Sequence, residues 1–231
     1  MKKSFLYVLF AVIFSGLAIT AQADARLDAI AQAWNAGNIE ATQTDFDRAE
    51  ARSMAEMAVF AETGGKVKIT KVVQLMPDVI GAQAEINGEP HVWLLREKDG
   101  KFTGFWHKPV SQIASIGGME YGQGFDVATT VVGLGQGFAE SNPIGLVGAG
   151  LYKATFLIGN RYSDFENCVP QRAAHDMWGW GAGAKNIALM AGVAEPATWA
   201  LMVAIAIARY EPAHETAAFE CASFALNRDT V

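Results

Sequence analysis

The chain has 231 residues, 51% of them hydrophobic, with a formal net charge of −6 and a pI of about 5.2. This acidic balance, with no run of Lys or Arg, excludes a phosphate backbone as an expected ligand, so nucleic acid is not a predicted partner. The mean hydropathy of +0.16 and the 23 glycines are unusual for a soluble secreted enzyme, and the apolar excess lies after Gly117.

The N-terminus has the three parts of a secretory signal peptide. Lys2 and Lys3 form a positive region, residues 5–19 form an apolar segment, and Ala21-Gln22-Ala23 matches a signal peptidase site. We therefore predict a leader over residues 1–23 and export of the remainder, which is long enough for two small domains. The alternative is an uncleaved N-terminal anchor, which the short apolar segment disfavours.

Residues 24–37 have the apolar spacing of an amphipathic helix. The apolar positions recur at i, i+3, i+4 and i+7, and they are Leu27, Ile30, Ala31 and Trp34. Gly37 then predicts the end of the helix. A short helical piece follows from Asn38, and residues 45–62 are predicted to form a third helix that ends at Gly64-Gly65.

Residues 66–108 change to the alternating pattern of β-strands. Four strands are predicted, over 66–76, 79–86, 90–97 and 102–108. Turn residues separate them at Pro77-Asp78, Asn87-Gly88 and Lys98-Asp99-Gly100. Residues 24–110 are therefore predicted to form an α+β domain in which helices precede an antiparallel meander.

Two segments of this domain resemble a known superfamily. They are AWNAGNIEA at residues 33–41 and VWLLREKDGKF at residues 92–102, which are similar to the opening and closing motifs of the nuclear-transport-factor-two-like, SnoaL-like group. The resemblance implies a cone-like fold, with helices packed on one face of a curved sheet and a pocket between them. Members with a positioned Asp/His pair do acid–base chemistry, and others only bind ligands or partner domains.

Four residues of this domain are able to do acid–base chemistry: Asp45, Asp47, His91 and His107. No spacing in the sequence places a base, a group that orients it and an oxyanion donor together. The preferred interpretation of the two histidines is that they face solvent on their strands. We therefore predict no catalytic residue, and a small molecule or a partner protein as the ligand of the cone.

The second half of the chain contains four apolar segments, at about 121–139, 143–159, 177–192 and 196–208. A membrane helix needs about 20 residues, and the last segment is short by that measure. Interleaved small residues, such as Gly133, Gly137 and Gly183, nevertheless favour close-packed membrane helices. We predict an all-α, four-helix membrane domain over residues 118–211 and a C-terminal tail over 212–231, with a soluble helical domain as the alternative.

This topology places the protein in a bacterial inner membrane, with a periplasmic first domain and membrane lipid as a partner. Aromatic residues then fall at the outer boundary, namely Tyr121, Tyr162, Trp178, Trp180 and Tyr210. The inner turns contain no Lys or Arg, which violates the positive-inside rule. The leader determines the orientation in this prediction because it directly dictates export of the first domain.

Polar residues in the apolar half form the main functional clue. The predicted cluster comprises Asp126, Thr130, Glu140, Asn142 and Lys153. A charge at membrane depth costs several kcal/mol unless it is paired, so Lys153 requires a partner, and counting back from Asn142 makes Asp126 the candidate. The favoured interpretation is that the cluster holds helices in register, and the alternative is an intramembrane enzyme or transporter-like unit.

The elements D-x-x-T-T at residues 126–130 and E-x-N-P at residues 140–143 resemble those of an uncharacterised family of small bacterial and archaeal membrane domains. The resemblance covers roughly residues 125–210, and E-x-N-P is its most specific part. It implies a membrane domain with an internal polar cluster, and it implies no chemistry.

Only two cysteines occur, Cys168 and Cys221, and in an oxidising compartment an even pair favours a disulfide. No Cys/His spacing is typical of a metal site, so neither a metal nor a cofactor is predicted. His175-Asp176 is not predicted to be a metal-binding or catalytic pair, because adjacent helical residues point about 100° apart. We assign the two residues to a helix N-terminus with satisfied polar groups. The sequence thus predicts a non-enzymatic, membrane-anchored binding protein.

Overall fold

The computed structural model of the chain describes residues 25–47, 63–115, 118–138 and 145–228. It divides into two compact units, one made of Met1–Val110 with Ala225–Val231 and the other made of Ser111–Phe224. We call the first the α+β unit and the second the helical unit. The predicted leader and most of the predicted helix 45–62 lie outside the described residues.

The α+β unit begins with helix α1, residues 25–35. Its four apolar positions, Leu27, Ile30, Ala31 and Trp34, are all buried, as their helical spacing requires. Gly37 has a φ of 71° and ends the helix, with the backbone N–H of Asn38 donating to Ala33 O at 2.9 Å. A 3-10 helix, Ile39–Asp45, follows, so the helix predicted from residue 45 does not begin there.

Four strands form one antiparallel sheet in the order β1-β2-β3-β4, which is the predicted meander. The strands are β1 (Val67–Met76), β2 (Val79–Ile86), β3 (Glu89–Lys98) and β4 (Lys101–Pro109). Asn87-Gly88 and Asp99-Gly100 have positive φ at both positions, which the two-residue turns between right-twisted strands require. These dipeptides explain why the turns that join the last three strands were predictable.

One face of this sheet packs against α1. The buried core includes Trp34 from the helix and Ile80, Trp93, Leu95 and Phe105 from the strands. Aromatic rings fill its centre, with Trp34 and Trp93 at 5.8 Å between centroids and Trp93 and Phe105 at 5.0 Å. Tilted and edge-on ring pairs of this kind contribute about 0.5–1.5 kcal/mol each beyond their buried area.

The helical unit contains helices joined by short loops. After α2 (Val110–Ser115), which begins at the unit boundary, they are α3 (Met119–Gly135), α4 (Gly145–Asn160), α5 (Phe165–Met190), α6 (Glu195–Ala208) and α7 (Tyr210–Asn227). Residues predicted as a C-terminal tail thus belong mostly to α7. Small apolar side chains pack α5 against α7, namely Ala173, Ala213 and Ala217.

Glycines bring α5 into backbone contact with its neighbours. A Cβ atom on Gly179 would lie 2.4 Å from the carbonyl carbon of Gly122 in α3, and one on Gly181 would lie 2.6 Å from Met202 O in α6. Both distances are below any tolerated Cβ contact, so only glycine fits at these crossings. Of the glycines that favoured a membrane domain in the sequence, Gly183 likewise fits only without a Cβ, which would lie 2.3 Å from the ring of Phe125, whereas a Cβ on Gly137 would have no atom within 4 Å.

The predicted four-helix membrane domain is wrong, because no helix in the described residues is both long enough and apolar enough to cross a membrane. Helices α3, α4 and α6 have 17, 16 and 14 residues, against the roughly 20 that a span needs. Helix α5 has 26 residues but carries Arg172, Asp176 and Lys185. The transmembrane assignment and the predicted inner-membrane location are corrected by this finding.

Candidate functional site

Asp45 and Asp47, the two acidic residues considered for acid–base chemistry, lie near the turn between β3 and β4. Arg26 Nε donates to Asp45 Oδ1 at 3.0 Å, and the same guanidinium donates to Glu97 Oε1 at 3.0 Å and to Gly100 O at 2.8 Å. The backbone N–H of Asp47 donates to Phe102 O at 2.8 Å. These contacts fix the chain to the sheet, so Asp45 has a structural ion-pair partner.

His91 and His107 lie at the opposite end of the sheet from Asp45. Six residues separate His91 from Glu97 along β3, which corresponds to about 20 Å at 3.3 Å per residue. The two imidazole rings are 5.6 Å apart between centroids. The structure therefore brings the two histidines together and keeps them away from Asp45, so the Asp/His pair of the catalytic members is not formed by these residues.

His91 faces the interior of the unit, and its predicted solvent-facing position is wrong. Its exposed fraction is 5%, and it lies on the same face of β3 as Trp93, two residues later. Across the sheet, His91 pairs with Ala84 and Trp93 pairs with Ala82. The sequence of β3 should have indicated this. Trp93 and Leu95 are apolar and expected in the core, and His91 lies on the same face because alternate residues of a strand point to the same side.

On this inner face, His91 and Trp93 each have a buried polar atom without a hydrogen-bond partner in the described part of the chain. These atoms are the indole Nε1 of Trp93 and the Nδ1 of His91. Leaving a buried donor or acceptor unpaired costs about 1–3 kcal/mol. We call the surface formed by Ala82, Ala84, His91, Trp93 and His107 the inner His/Trp face.

Burial lowers the pKa of His91 below 6.5, with the neighbouring His107 acting in the same direction and Glu89 opposing both. The imidazole of His91 is therefore neutral at neutral pH. A neutral imidazole has one nitrogen that donates and one that accepts. The inner His/Trp face accordingly offers hydrogen-bonding groups without a formal charge from His91.

Acidification below pH 6.5 is expected to destabilise the α+β unit through His91. Because the pKa of His91 is below 6.5 in the folded protein, the unfolded chain takes up this proton first as the pH falls. The stability associated with neutral His91 is complete above pH 6.5 and decreases toward the folded pKa, by at most about 1.4 kcal/mol per pH unit.

Urea unfolding of the wild type and of His91→Gln at about pH 7.5 and about pH 5.5 measures this effect. Carboxyl groups titrate in both proteins, so the quantity to compare is the difference in the free energy of unfolding between them. We expect the loss on acidification to be smaller in the variant. An equal loss in both proteins would show that His91 does not contribute.

The helical unit contains a second group of polar side chains, drawn from three helices. Lys153 Nζ of α4 forms an ion pair and hydrogen bond with Asp126 Oδ2 of α3. From α5, Asn186 Nδ2 lies 3.2 Å from Asp126 Oδ1 and 3.0 Å from Thr130 Oγ1. We call these residues, with Thr129, the three-helix polar cluster. Predicted members Glu140 and Asn142 lie outside the described residues.

The contacts of the three-helix polar cluster favour a structural role. Thr129 Oγ1 lies 3.0 Å from both Phe125 O and Asp126 O, as expected for a helical threonine that bonds back to its own helix. Lys153 and Asp126 neutralise each other, and Asn186 joins the pair to the third helix. Because these groups bind one another, they provide neither a free base nor a nucleophile. Asn186 was not among the predicted residues.

The adjacent residues His175 and Asp176 point to different neighbours. The ring of His175 stacks on Phe156 of α4 at 3.9 Å between centroids, and burial together with the charge of Lys153 lowers its pKa. Asp176 is buried, and its Oδ2 accepts from Arg209 Nη2 at 2.8 Å. Burial raises the pKa of Asp176, and Arg209 opposes that shift. They do not form a joint site, and they lie in the middle of α5 (Phe165–Met190), so the predicted helix N-terminus at this position is wrong.

A buried ion network centred on Arg172 was missed by the sequence analysis. The side chain of Arg172 is 1% exposed, and its Nε donates to Glu220 Oε2 of α7 at 2.6 Å. Its Nη2 also donates to both carboxylate oxygens of Glu120 of α3, at 2.6 and 2.7 Å. A usable signal existed, because Cys168, Arg172 and Asp176 are spaced four residues apart and so share one face of α5.

The two glutamates of this network have opposite pKa shifts. Burial would raise the pKa of Glu120, but the hydrogen bond and charge of Arg172 outweigh it and lower the pKa. Burial raises the pKa of Glu220 despite the charge of Arg172. The charge of Glu220 and the hydrogen bond to Glu120 hold the pKa of Arg172 above its ordinary value in spite of burial. Arg172 therefore stays charged and binds α3 and α7 to α5.

The predicted disulfide between Cys168 and Cys221 is present. It joins α5 to α7, one helical turn before Arg172 and next to Glu220, and both cysteines are buried. Among the described residues, no three His, Cys, Asp or Glu side chains are arranged to hold a metal ion. The polar groups described for the helical unit thus form internal ion pairs and a cross-link, although Arg172 Nη1, Asp176 Oδ1, Trp180 Nε1 and Arg209 Nε are buried without a hydrogen-bond partner.

Comparison with known proteins identifies no relative. No family model matches the chain, and neither a curated protein nor a solved structure shows significant similarity to it.

Proposed function

We propose that this is an exported, non-enzymatic binding protein whose α+β unit holds a small ligand at the inner His/Trp face. The observation that carries the proposal is the pair of buried, unpartnered atoms, Trp93 Nε1 and His91 Nδ1. Buried polar groups in native proteins are almost always hydrogen-bonded, and exceptions need a reason. A bound molecule that pairs with these atoms would recover the free energy that they cost the free protein.

Export is supported by two independent features. The N-terminal 23 residues have the pattern of a signal peptide, and Cys168 and Cys221 form a disulfide, which persists in oxidising compartments. The helical unit then serves as a cross-linked scaffold, because its ion pairs Asp126–Lys153, Arg172–Glu220 and Arg209–Asp176 bind its own helices to one another. The resemblance of residues 33–41 and 92–102 to cone-like domains is consistent with a binding role for the first unit.

A non-enzymatic role is preferred because the candidate acid–base groups are separated or paired. Asp45 is bound by Arg26 at the far end of the sheet from His91. Asp126 and Lys153 neutralise each other in the three-helix polar cluster. General acid–base catalysis needs a base within hydrogen-bond reach of its substrate and a group that orients that base. The described residues of the inner His/Trp face do not provide such a set.

A thermal-shift screen of the processed chain against a chemically diverse library of small molecules tests this proposal. Compounds that bind only the folded protein raise its melting temperature, and at least one class is expected to do so. Trp93→Phe should reduce the effect because it removes the N–H and keeps most of the ring. Trp106→Phe is the matched control, since Trp106 is 46% exposed on β4. The proposal fails if no compound stabilises the wild type, or if both variants respond equally.

A further inference from the structure

We infer that the ligand of the inner His/Trp face is an uncharged aromatic molecule that carries a hydroxyl group. This inference rests on the proposed function and names the chemical class of its ligand. Three properties of the described residues lead to it: the charge near the face, the aromatic rings and small side chains that form it, and the kind of polar atom left unpaired.

The charge of the face excludes ionic ligands. The inner His/Trp face borders the apolar core of the unit, to which Ala82, Ala84 and Trp93 themselves belong. The nearest titratable neighbours of His91 are His107 and the exposed Glu89, which precedes it by two residues on the same side of β3. Glu89 repels an anion, and among the described residues it is the only carboxylate that acts on His91, where it is exposed to solvent and so pairs only weakly with a buried cation. Burying an unpaired charge costs several kcal/mol, so a neutral ligand is favoured.

The walls of the face favour an aromatic ligand. The ring of Phe105 contacts that of Trp93 at 5.0 Å, nearly perpendicular to it, and that of His107 at 5.8 Å. An aromatic pair in an edge-to-face or offset geometry contributes about 0.5–1.5 kcal/mol beyond its buried area, which an aliphatic ligand beside these rings would not gain. In β2, Ala82 and Ala84 present only methyl groups opposite Trp93 and His91, between the larger Ile80 and Ile86. The least bulky part of the face therefore lies beside its unpaired polar atoms.

The unpaired atoms define the polar group of the ligand. The indole Nε1 of Trp93 is only a donor, so its partner must be an acceptor. The Nδ1 of His91 donates or accepts according to the tautomer of the neutral ring. A hydroxyl group is both donor and acceptor, so it can accept from Trp93 or donate to His91 without a change in charge. A phenol combines this group with the aromatic ring that the walls favour.

Four probes of similar size separate these properties. They are p-cresol, toluene, benzoate and benzylamine, which supply a neutral hydroxyl, no polar group, an anion and a cation on one aromatic ring. Binding is measured at about pH 7.5 by titrating the ¹⁵N-labelled processed chain and following its tryptophan indole N–H signals by NMR. Trp93→Phe assigns the Trp93 signal by removing it, and Trp106→Phe is the control variant.

We expect p-cresol to bind about tenfold or more tightly than each of the other three probes, the factor that one well-formed hydrogen bond supplies. It should also move the Trp93 N–H signal. In His91→Phe, the affinity for p-cresol should fall toward that for toluene while toluene binding is kept. Equal affinities for p-cresol and toluene in the wild type would overturn the inference, as would tighter binding of benzoate or benzylamine. The comparison among probes needs no variant, so a misfolded variant does not affect it.

The results also distinguish this inference from the proposed function. If none of the four probes binds but another class of compound stabilises the protein in the library screen with dependence on Trp93, the phenol class is wrong and the binding function stands. If no compound of any class binds, both are wrong. If a probe shifts the indole N–H signals of all six tryptophans equally, its association is non-specific. That result also counts against the inference.

Discussion

Removal of the Cys168–Cys221 disulfide is expected to lower the free energy of unfolding of the helical unit by about 4 kcal/mol. The two cysteines are 53 residues apart, and a cross-link that closes a loop of this length restricts the unfolded chain by about that amount. The loss is large relative to the 5–15 kcal/mol that stabilises a typical domain. The double variant Cys168→Ala/Cys221→Ala should therefore unfold at a clearly lower denaturant concentration.

Guanidinium unfolding of the oxidised wild type, the reduced wild type and the double variant measures this loss. The two units need not unfold together, so each requires its own probe, for example the tryptophans of α5 and α6 for the helical unit. The reduced wild type and the double variant should behave alike, and reductant should leave the double variant unchanged. Equal midpoints for the oxidised and reduced wild type would contradict the prediction.

Replacement of Arg172 by methionine is expected to cost the helical unit about 3–5 kcal/mol. Arg172 is the only described cation that contacts Glu220, whose side chain is 11% exposed, and removing one member of a buried ion pair leaves the other uncompensated. Methionine retains an unbranched apolar chain, so most of the loss should come from charge rather than volume. Equilibrium unfolding of Arg172→Met measures it directly.

Two further variants test whether the charges cause the loss. Arg161→Met is the matched control, because Arg161 also approaches Glu120, at 3.8 Å, but is 58% exposed, and exposed pairs contribute about 0–1 kcal/mol. The triple variant Arg172→Met/Glu120→Gln/Glu220→Gln should recover part of the lost stability, since no unpaired carboxylate remains. If the triple variant is no more stable than Arg172→Met, the cost arises from packing instead.

Local periodicity made most of the α+β unit predictable. The i, i+3, i+4, i+7 spacing of Leu27, Ile30, Ala31 and Trp34 corresponds to the buried side of α1, and Asn87-Gly88 occupies the two positive-φ positions of its turn. These features depend on residues close together in the chain. The burial of His91 depends instead on tertiary packing over the face that it shares with Trp93 and His107, so its solvent-facing prediction failed.

The helical unit shows where composition misleads. The hydropathy of a helix rich in Gly, Ala and Val is a property of its sequence. It therefore does not distinguish a helix covered by lipid from one covered by other helices. The close approach of Gly179 to Gly122 and of Gly183 to Phe125 accounts for two of the glycines that had indicated membrane packing. The pairing of Lys153 with Asp126 was proposed from helix lengths in the sequence, whereas Asn186, which joins both to α5, has no sequence signal that distinguishes it.

The sequence by itself determined the strand order, two of the turns, the course of α1 and the choice of cysteine partners, because each depends on short-range periodicity, on turn chemistry or on there being only two cysteines. Only the tertiary structure decided that Arg172 holds three helices together and that His91 and Trp93 share an inner face with unpaired polar atoms. These properties arise from contacts between residues far apart in the chain, where burial changes the free energy of a charge or a hydrogen bond by several kcal/mol without any trace in local pattern.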